Sequence, residues 1–215
     1  MCNNFIFHNF SFISIFLIFI SSVCPRSDVI REITSSTGDT NGDWRDLVYC
    51  SDNHYVYGFN QKMDCDTLGV NVFRLYCASW DHSVSSTITS HDDDEGSWQT
   101  DKYCNQGDFM QSYYVGKNGW NGGNALSLSD VRMKCITDTS YLSPGGGCNS
   151  ASTSPASCNT GEAICGYQTR FQDGSVWVDD VRTTDSIFKC CCFKGYFLYT
   201  DPNTGQKTVL KQNNF

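Results

Sequence analysis

Gly42-Asp43-Trp44-Arg45-Asp46-Leu47-Val48-Tyr49-Cys50 and Gly96-Ser97-Trp98-Gln99-Thr100-Asp101-Lys102-Tyr103-Cys104 carry Gly-x-Trp and Cys at the same offsets, 54 residues apart. A further 54 residues on stands Cys158, with Ser152 at the tryptophan position. Each opening is followed by a closing string that ends in cysteine: Asn71-Val72-Phe73-Arg74-Leu75-Tyr76-Cys77, Asp130-Val131-Arg132-Met133-Lys134-Cys135 and Asp185-Ser186-Ile187-Phe188-Lys189-Cys190. Self-similarity at a fixed period marks one structural unit used repeatedly, here three times.

Within a unit the reading is all β. Tyr55-Val56-Tyr57-Gly58-Phe59, Phe109 to Val115 and Ile164 to Phe171 are rich in aromatic and β-branched residues, which fit a pleated, half-buried surface. In the first closing string Val72, Arg74 and Tyr76 alternate with Phe73 and Leu75, the period of a strand with one face inward. Asn118-Gly119, Asn121-Gly122-Gly123 and Asp173-Gly174 supply turns. A lone sheet of three or four strands has nowhere to bury its apolar face. Three units therefore predict a β-prism: three small antiparallel sheets around a pseudo-threefold axis, sharing one core and stabilised by disulfides. The alternatives are a trefoil of hairpins, whose units are usually shorter, and a three-bladed array.

Composition sets the outer bounds. The chain has 215 residues, 14% aromatic and 18% charged, with 15 Lys and Arg and a formal net charge of −8. Aromatic content at this level excludes an acidic disordered chain. The shortage of cations argues against nucleic acid as a partner, because phosphate neutralisation needs basic clusters. Residues 1–24 read as a signal peptide, with the dense apolar run Ile13 to Ile20 followed by Ser21 and Ser22. An uncleaved anchor is the alternative, and either way the remainder faces an oxidising compartment. A secreted chain with no membrane contact after cleavage is the expectation. Residues 27–192 hold the three repeats. Residues 193–215 form a C-terminal hairpin extension or tail, with Tyr196 to Tyr199 and Lys207 to Leu210 flanking Asp201-Pro202-Asn203-Thr204-Gly205.

The Gly-x-Trp openings, the Asp-Thr stretch at Asp66-Thr67 and the closing Phe-Arg-Leu-Tyr-Cys resemble the vitelline membrane outer layer protein one family. The third unit carries the resemblance furthest, in Cys158-Asn159-Thr160-Gly161-Glu162-Ala163-Ile164-Cys165-Gly166-Tyr167-Gln168-Thr169-Arg170, with Asp179-Asp180 and Cys190-Cys191. It covers about residues 38 to 192. The resemblance implies a β-prism, secretion, and a structural role in an extracellular coat with glycan binding at loop ends. Matrix or egg-coat components and glycans are the partners it implies. The alternative is an enzyme that transfers or hydrolyses chito-oligosaccharides with paired carboxylates, a transferring activity being what the resemblance carries.

Thirteen cysteines in a secreted chain point to a disulfide framework. The repeats suggest Cys50–Cys77 and Cys104–Cys135. Cys158 and Cys165 pair with Cys190 and Cys191 in an order the sequence leaves open, and Cys65, Cys148 and Cys192 remain. Loops of this size add roughly 3 kcal/mol each in the chain-entropy estimate. Trp44 and Trp98 are candidates for stacking on a sugar ring, against capping a sheet edge. Asp179, Asp180 and Asp66, with Asp64 beside it, are the carboxylates available for glycoside chemistry, which needs two converging acids. Turn-forming aspartates are the simpler reading, and the second unit lacks the pair. The run His91-Asp92-Asp93-Asp94-Glu95 lacks the ligand spacing of a calcium loop and reads as a solvated loop. The contiguous Cys190-Cys191-Cys192 lacks zinc spacing. No metal and no cofactor is expected, and no catalytic set is assigned.

Overall fold

The computed structural model describes residues 31–35, 40–64, 69–92, 94–119, 126–145, 151–173, 182–192, 196–200 and 207–211. The strands run β1 (Arg31–Thr34), β2 (Asp43–Trp44), β3 (Val48–Tyr49), β4 (Tyr55–Asp64), β5 (Gly69–Ala78), β6 (Ser85–Thr89), β7 (Ser97–Trp98) and β8 (Lys102–Tyr103). They continue as β9 (Met110–Gly119), β10 (Leu126–Cys135), β11 (Ala151–Ser152), β12 (Ala156–Ser157), β13 (Glu162–Gln172), β14 (Arg182–Cys192), β15 (Tyr196–Thr200) and β16 (Lys207–Lys211). The described residues contain no helix.

Three long antiparallel hairpins, β4–β5, β9–β10 and β13–β14, form the centres of three sheets. The free edge of each hairpin is filled by two short strands from the next repeat. Strands β7 and β8 pair with β4, and β11 and β12 pair with β9. The start of the chain closes the ring, because β2 and β3 pair with β13. On the opposite edges lie β6 against β5, β1 against β14, and a bridge from Leu142 to Met133. The sequence repeat and the sheet are thus offset by one pair of edge strands. Strands β15 and β16 pair with each other in a separate two-stranded sheet.

The offset is held at one recurring position. Tyr57, Gln111 and Cys165, again 54 apart, are bulged residues in the first strand of each hairpin. Their carbonyls accept the backbone N–H of Cys104, Cys158 and Cys50 at 2.7, 2.9 and 2.8 Å. A bulge leaves a residue unpaired in its own hairpin and turns its backbone outward, which frees the carbonyl for the incoming strand. Each of these cysteines then bonds to a closing cysteine in a different sheet: Cys50–Cys77, Cys104–Cys135 and Cys158–Cys190. The three disulfides join third sheet to first, first to second, and second to third. Cys165–Cys191 lies within the β13–β14 hairpin, which resolves the order in the third unit, and Cys192 is also disulfide-bonded. The turn after each stapling cysteine also repeats. Asn53, Gly107 and Gly161 take positive φ at 59°, 78° and 83°, inside turns closed from residue 54 to 51, 108 to 105 and 162 to 159. Glycine and asparagine are the residues that tolerate this conformation.

Phe59, Tyr113 and Tyr167 are the threefold-related core rings, and Leu75, Met133 and Phe188 lie opposite them; all six are fully buried. Phe188 packs on Tyr113 and Tyr167, with ring centroids 4.1 and 5.7 Å away, and Phe73 packs on Tyr167 at 4.8 Å. A buried tyrosine hydroxyl needs partners. Tyr167 accepts from the Ser90 N–H at 2.8 Å and donates to the Phe73 carbonyl at 2.6 Å. Tyr113 repeats this with the Ser35 N–H at 2.7 Å and the Ser186 carbonyl at 3.1 Å. At the third corner Phe59 has no hydroxyl, and the residue matching Ser35 and Ser90 is Pro144, which has no N–H. Donor and acceptor have been lost together, the combination that costs least.

Alternation in β5 holds from Phe73 to Cys77 but not at Val72, which is buried. The register shift between Lys62 and Met63 places a second bulge there, and it interrupts the two-residue period. The tyrosine corners yield a prediction. Tyr113→Phe and Tyr167→Phe each strand a buried backbone N–H and should lower stability by about 1–3 kcal/mol in urea denaturation. An unchanged midpoint in either variant would refute the assigned corner bonds.

Candidate functional site

Three equivalent sheets in one chain provide an internal comparison. A position that the sheets share serves what they have in common, whereas a position found in one sheet is open to another use. The outer rows of the first sheet, read across β5, β4 and the edge strands, are Tyr76–Gly58–Tyr103 and Arg74–Asn60–Asp101, followed by Val72–Lys62–Trp98, in which Val72 is covered. In the third sheet the matching residues are Lys189–Gly166–Tyr49, Ile187–Gln168–Leu47 and Asp185–Arg170–Trp44. In the second they are Lys134–Ser112–Ser157, Arg132–Tyr114–Pro155 and Asp130–Gly116–Ser152.

Some of these outward residues are part of the scaffold. The Tyr103 ring lies over Gly58, where an added Cβ would meet its Cδ1 at 2.3 Å. The Tyr49 ring covers Gly166 in the same way, at 2.6 Å. A glycine is required beneath each ring, because the aromatic face occupies the space of its side chain. In the second sheet Ser157 Oγ instead donates to Ser112 Oγ at 2.8 Å. The tryptophans are scaffold in a similar sense. Trp98 lies under the Arg74 guanidinium at 4.0 Å and Trp44 under that of Arg170 at 4.9 Å. Each is a half-buried residue of a two-residue edge strand, with a cation over its ring.

Asp101 does not recur. Its Oδ1 accepts from the Tyr76 hydroxyl at 2.6 Å and from Asn60 Nδ2 at 2.5 Å, and its Oδ2 accepts from the Tyr103 hydroxyl at 3.1 Å. The Tyr76 hydroxyl is the chief cause that holds this carboxyl below the ordinary carboxylate range, with Asn60, Tyr103 and the charge of Arg74 helping and partial burial opposing. Partial desolvation and the adjacent carboxylate raise both tyrosine hydroxyls. The result is an ionised acceptor ringed by neutral donors. Tyr57 stacks on Tyr103 at 5.4 Å and meets the tilted His82 ring at 4.7 Å, and Tyr76 meets Tyr103 at 5.2 Å. Burial pushes the His82 imidazole below its ordinary value. The adjoining loop is fixed by Asp81, which accepts from Ser79 Oγ and from the Ser83 N–H and hydroxyl. Asp81 is lowered to about 2, first by the Ser83 hydroxyl. The outer face of the first sheet is therefore a tyrosine platform with a carboxylate set into it.

The other faces differ in chemistry. On the second sheet Arg132 is spent on Asp130 Oδ2 at 2.6 Å, and Lys134 lies 5.3 Å from the Tyr141 ring. On the third, Lys189 pairs with Glu32, and Leu47 takes the place of Asp101.

The remaining sequence candidates fall elsewhere. Asp66, Asp179, Asp180, Cys65 and Cys148 lie outside the described residues, as does the 1–24 segment, and Asp64 ends β4 opposite Gly69. Asp92, Asp94 and Glu95 are exposed, while His91 packs on Phe171 at 4.0 Å. Cys158, Cys190 and Glu162 come together at a spacing compatible with a metal, but the two sulfurs are bonded to each other and offer no thiolate. Sequence reasoning selected Trp98 but missed Asp101, Tyr103, Tyr76 and Asn60. The signal was present in the repeat itself: Asp101 aligns with Leu47 and Pro155.

The model for the family described as vitelline membrane outer layer protein I matches residues 31–193. Among solved structures, artocarpin complexed with methyl α-mannose is 9% identical with a TM-score of 0.53, covering 78% of this chain and 99% of its own. A mannose-binding jacalin-related lectin from Ananas comosus is 8% identical with a TM-score of 0.51, covering 77% and 98%. A prostate-specific WGA16 glycoprotein lectin is 14% identical with a TM-score of 0.50, covering 71% and 93%. These likenesses establish the β-prism fold. No curated protein sequence matches the chain.

The carboxylate geometry is testable by titration. Asp101 has a depressed folded value, so the stability it contributes is present at neutral pH and lost as pH falls through that value. Tyr76→Phe removes the principal donor and should move the Asp101 carboxyl up toward the ordinary range in a carbon-13 NMR titration. An unchanged titration would contradict the assigned hydrogen bond.

Proposed function

The chain belongs to the vitelline membrane outer layer protein I family, and from that premise we propose that it is an extracellular carbohydrate-binding protein of coat or matrix type. The observation that carries the reading is the unrepeated tyrosine and aspartate face on the first sheet of a β-prism. Aromatic faces that cover the apolar side of a sugar ring, beside an acceptor for hydroxyl groups, are the chemistry of glycan recognition. The lectin neighbours add support at the level of fold, since two of them are mannose-binding or mannose-bound.

Every described cysteine is disulfide-bonded. This supports an oxidising, extracellular setting, because such bonds persist there and are rare in the cytosol. It also supports secretion through the 1–24 segment. The same bonds suit a durable coat component, since the ring of sheets stays joined after local opening. A net charge of −8 favours glycans or matrix proteins over nucleic acid as partners.

The test is a glycan array probed with the purified, oxidised protein. Binding to a defined subset of glycans, lost after reduction and alkylation, is the expected outcome. Absence of binding to every glycan at micromolar protein would overturn the reading.

A further inference from the structure

The geometry points to the Asp101–Tyr103 surface as the sugar-binding site, and to an uncharged pyranose as its ligand. This rests on the carbohydrate-binding reading above and adds a place and a ligand class. Four observations combine. Tyr103 is the most exposed ring of the first sheet, at 46%, and its stacking on Tyr57 and tilted packing on Tyr76 hold it against Gly58. A rigid ring of this kind loses little entropy when a sugar stacks on it. Asp101 is exposed and ionised, and its three protein donors fix its orientation. A carboxylate has about four acceptor positions, so one remains for a ligand hydroxyl beside the ring.

The same carboxylate decides against acidic sugars. A uronate or sulfate over Tyr103 would face the Asp101 carboxylate beside the ring. Among the described residues of this face, Arg74 already lies over Trp98, and the loop alongside adds the ionised Asp81. The tryptophans offer less than the sequence suggests, because in each a guanidinium lies over the ring.

The third sheet supplies the control. Tyr49 is 41% exposed and covers Gly166 as Tyr103 covers Gly58, but Leu47 stands where Asp101 would be. It has a platform without the acceptor. A bare aromatic ring is not expected to hold a sugar at the same affinity.

The experiment is isothermal titration of the oxidised protein with mannotriose, N-acetylglucosamine trimer and a heparin-derived hexasaccharide. At least one neutral trisaccharide should bind and the sulfated one should not. Asp101→Asn and Tyr103→Ala should each weaken the neutral sugar by roughly tenfold or more, the loss expected for a charge-assisted hydrogen bond or a stacking ring. Tyr103→Phe keeps the ring over Gly58 and should weaken it less, which guards against a folding defect in the alanine variant. Tyr49→Ala should leave binding unchanged. If neutral sugars bind but Asp101→Asn and Tyr103→Ala bind as the parent does, the site is wrong while the carbohydrate-binding reading survives. If the hexasaccharide binds in preference, the ligand class is wrong. If neither the three probes nor the array shows binding, both proposals fall.

Discussion

The fold depends on a hydrogen bond made three times, from the backbone N–H of a cysteine to the carbonyl of a bulged residue in the neighbouring repeat. Cys50 donates to Cys165, Cys104 to Tyr57 and Cys158 to Gln111. Without the bulge that carbonyl would be used inside its own hairpin, and the edge strand would have no entry point. With it, each hairpin gains an outer edge from the next repeat, and the donating cysteine sits within reach of a partner in another sheet. The disulfide then fixes what the hydrogen bond has aligned. No sheet has to be stable alone, which small sheets are not. The three apolar faces close on one core of Phe59, Tyr113, Tyr167 and their opposites.

The consequence for function is a separation of duties within each strand. Inward residues are held to the threefold pattern, down to the matched loss of hydroxyl and N–H at Phe59 and Pro144. Outward residues are released from it. The three outer faces have accordingly diverged into a tyrosine and carboxylate surface, a face of paired cations and aromatics, and a more apolar one with Leu47 and Tyr49 exposed. What one sheet has and the other two lack at equivalent positions is not needed for the threefold closure that all three share. Asp101 is such a residue.

Much of the architecture was legible in the sequence. The 54-residue spacing, the closing strings and the cysteine pairs at the ends of each unit all correspond to elements of the three sheets. The offset between repeat and sheet was not legible. Whether Gly96 to Cys104 completes its own sheet or the preceding one depends on bulges at Tyr57, Gln111 and Cys165, and a bulge has no distinct residue signature in this chain. The buried Val72 was misread for a related reason, since alternation is reset where a register shifts. The proposed site was hidden differently. Trp44 and Trp98 stand out because they repeat, and they repeat because each packs under an arginine at a sheet edge. Asp101 stands out only when repeats are compared for what they do not share.

The measurement closest to the central claim is a map of amide and side-chain NMR shifts as a neutral trisaccharide is added to the oxidised protein. The account predicts perturbations confined to the outer face of the first sheet, at Tyr57, Asn60, Tyr76, Asp101 and Tyr103. Their threefold equivalents, Gln168, Lys189, Leu47 and Tyr49 among them, should stay silent. Perturbations of equal size at all three faces, or centred on Trp44, would contradict it.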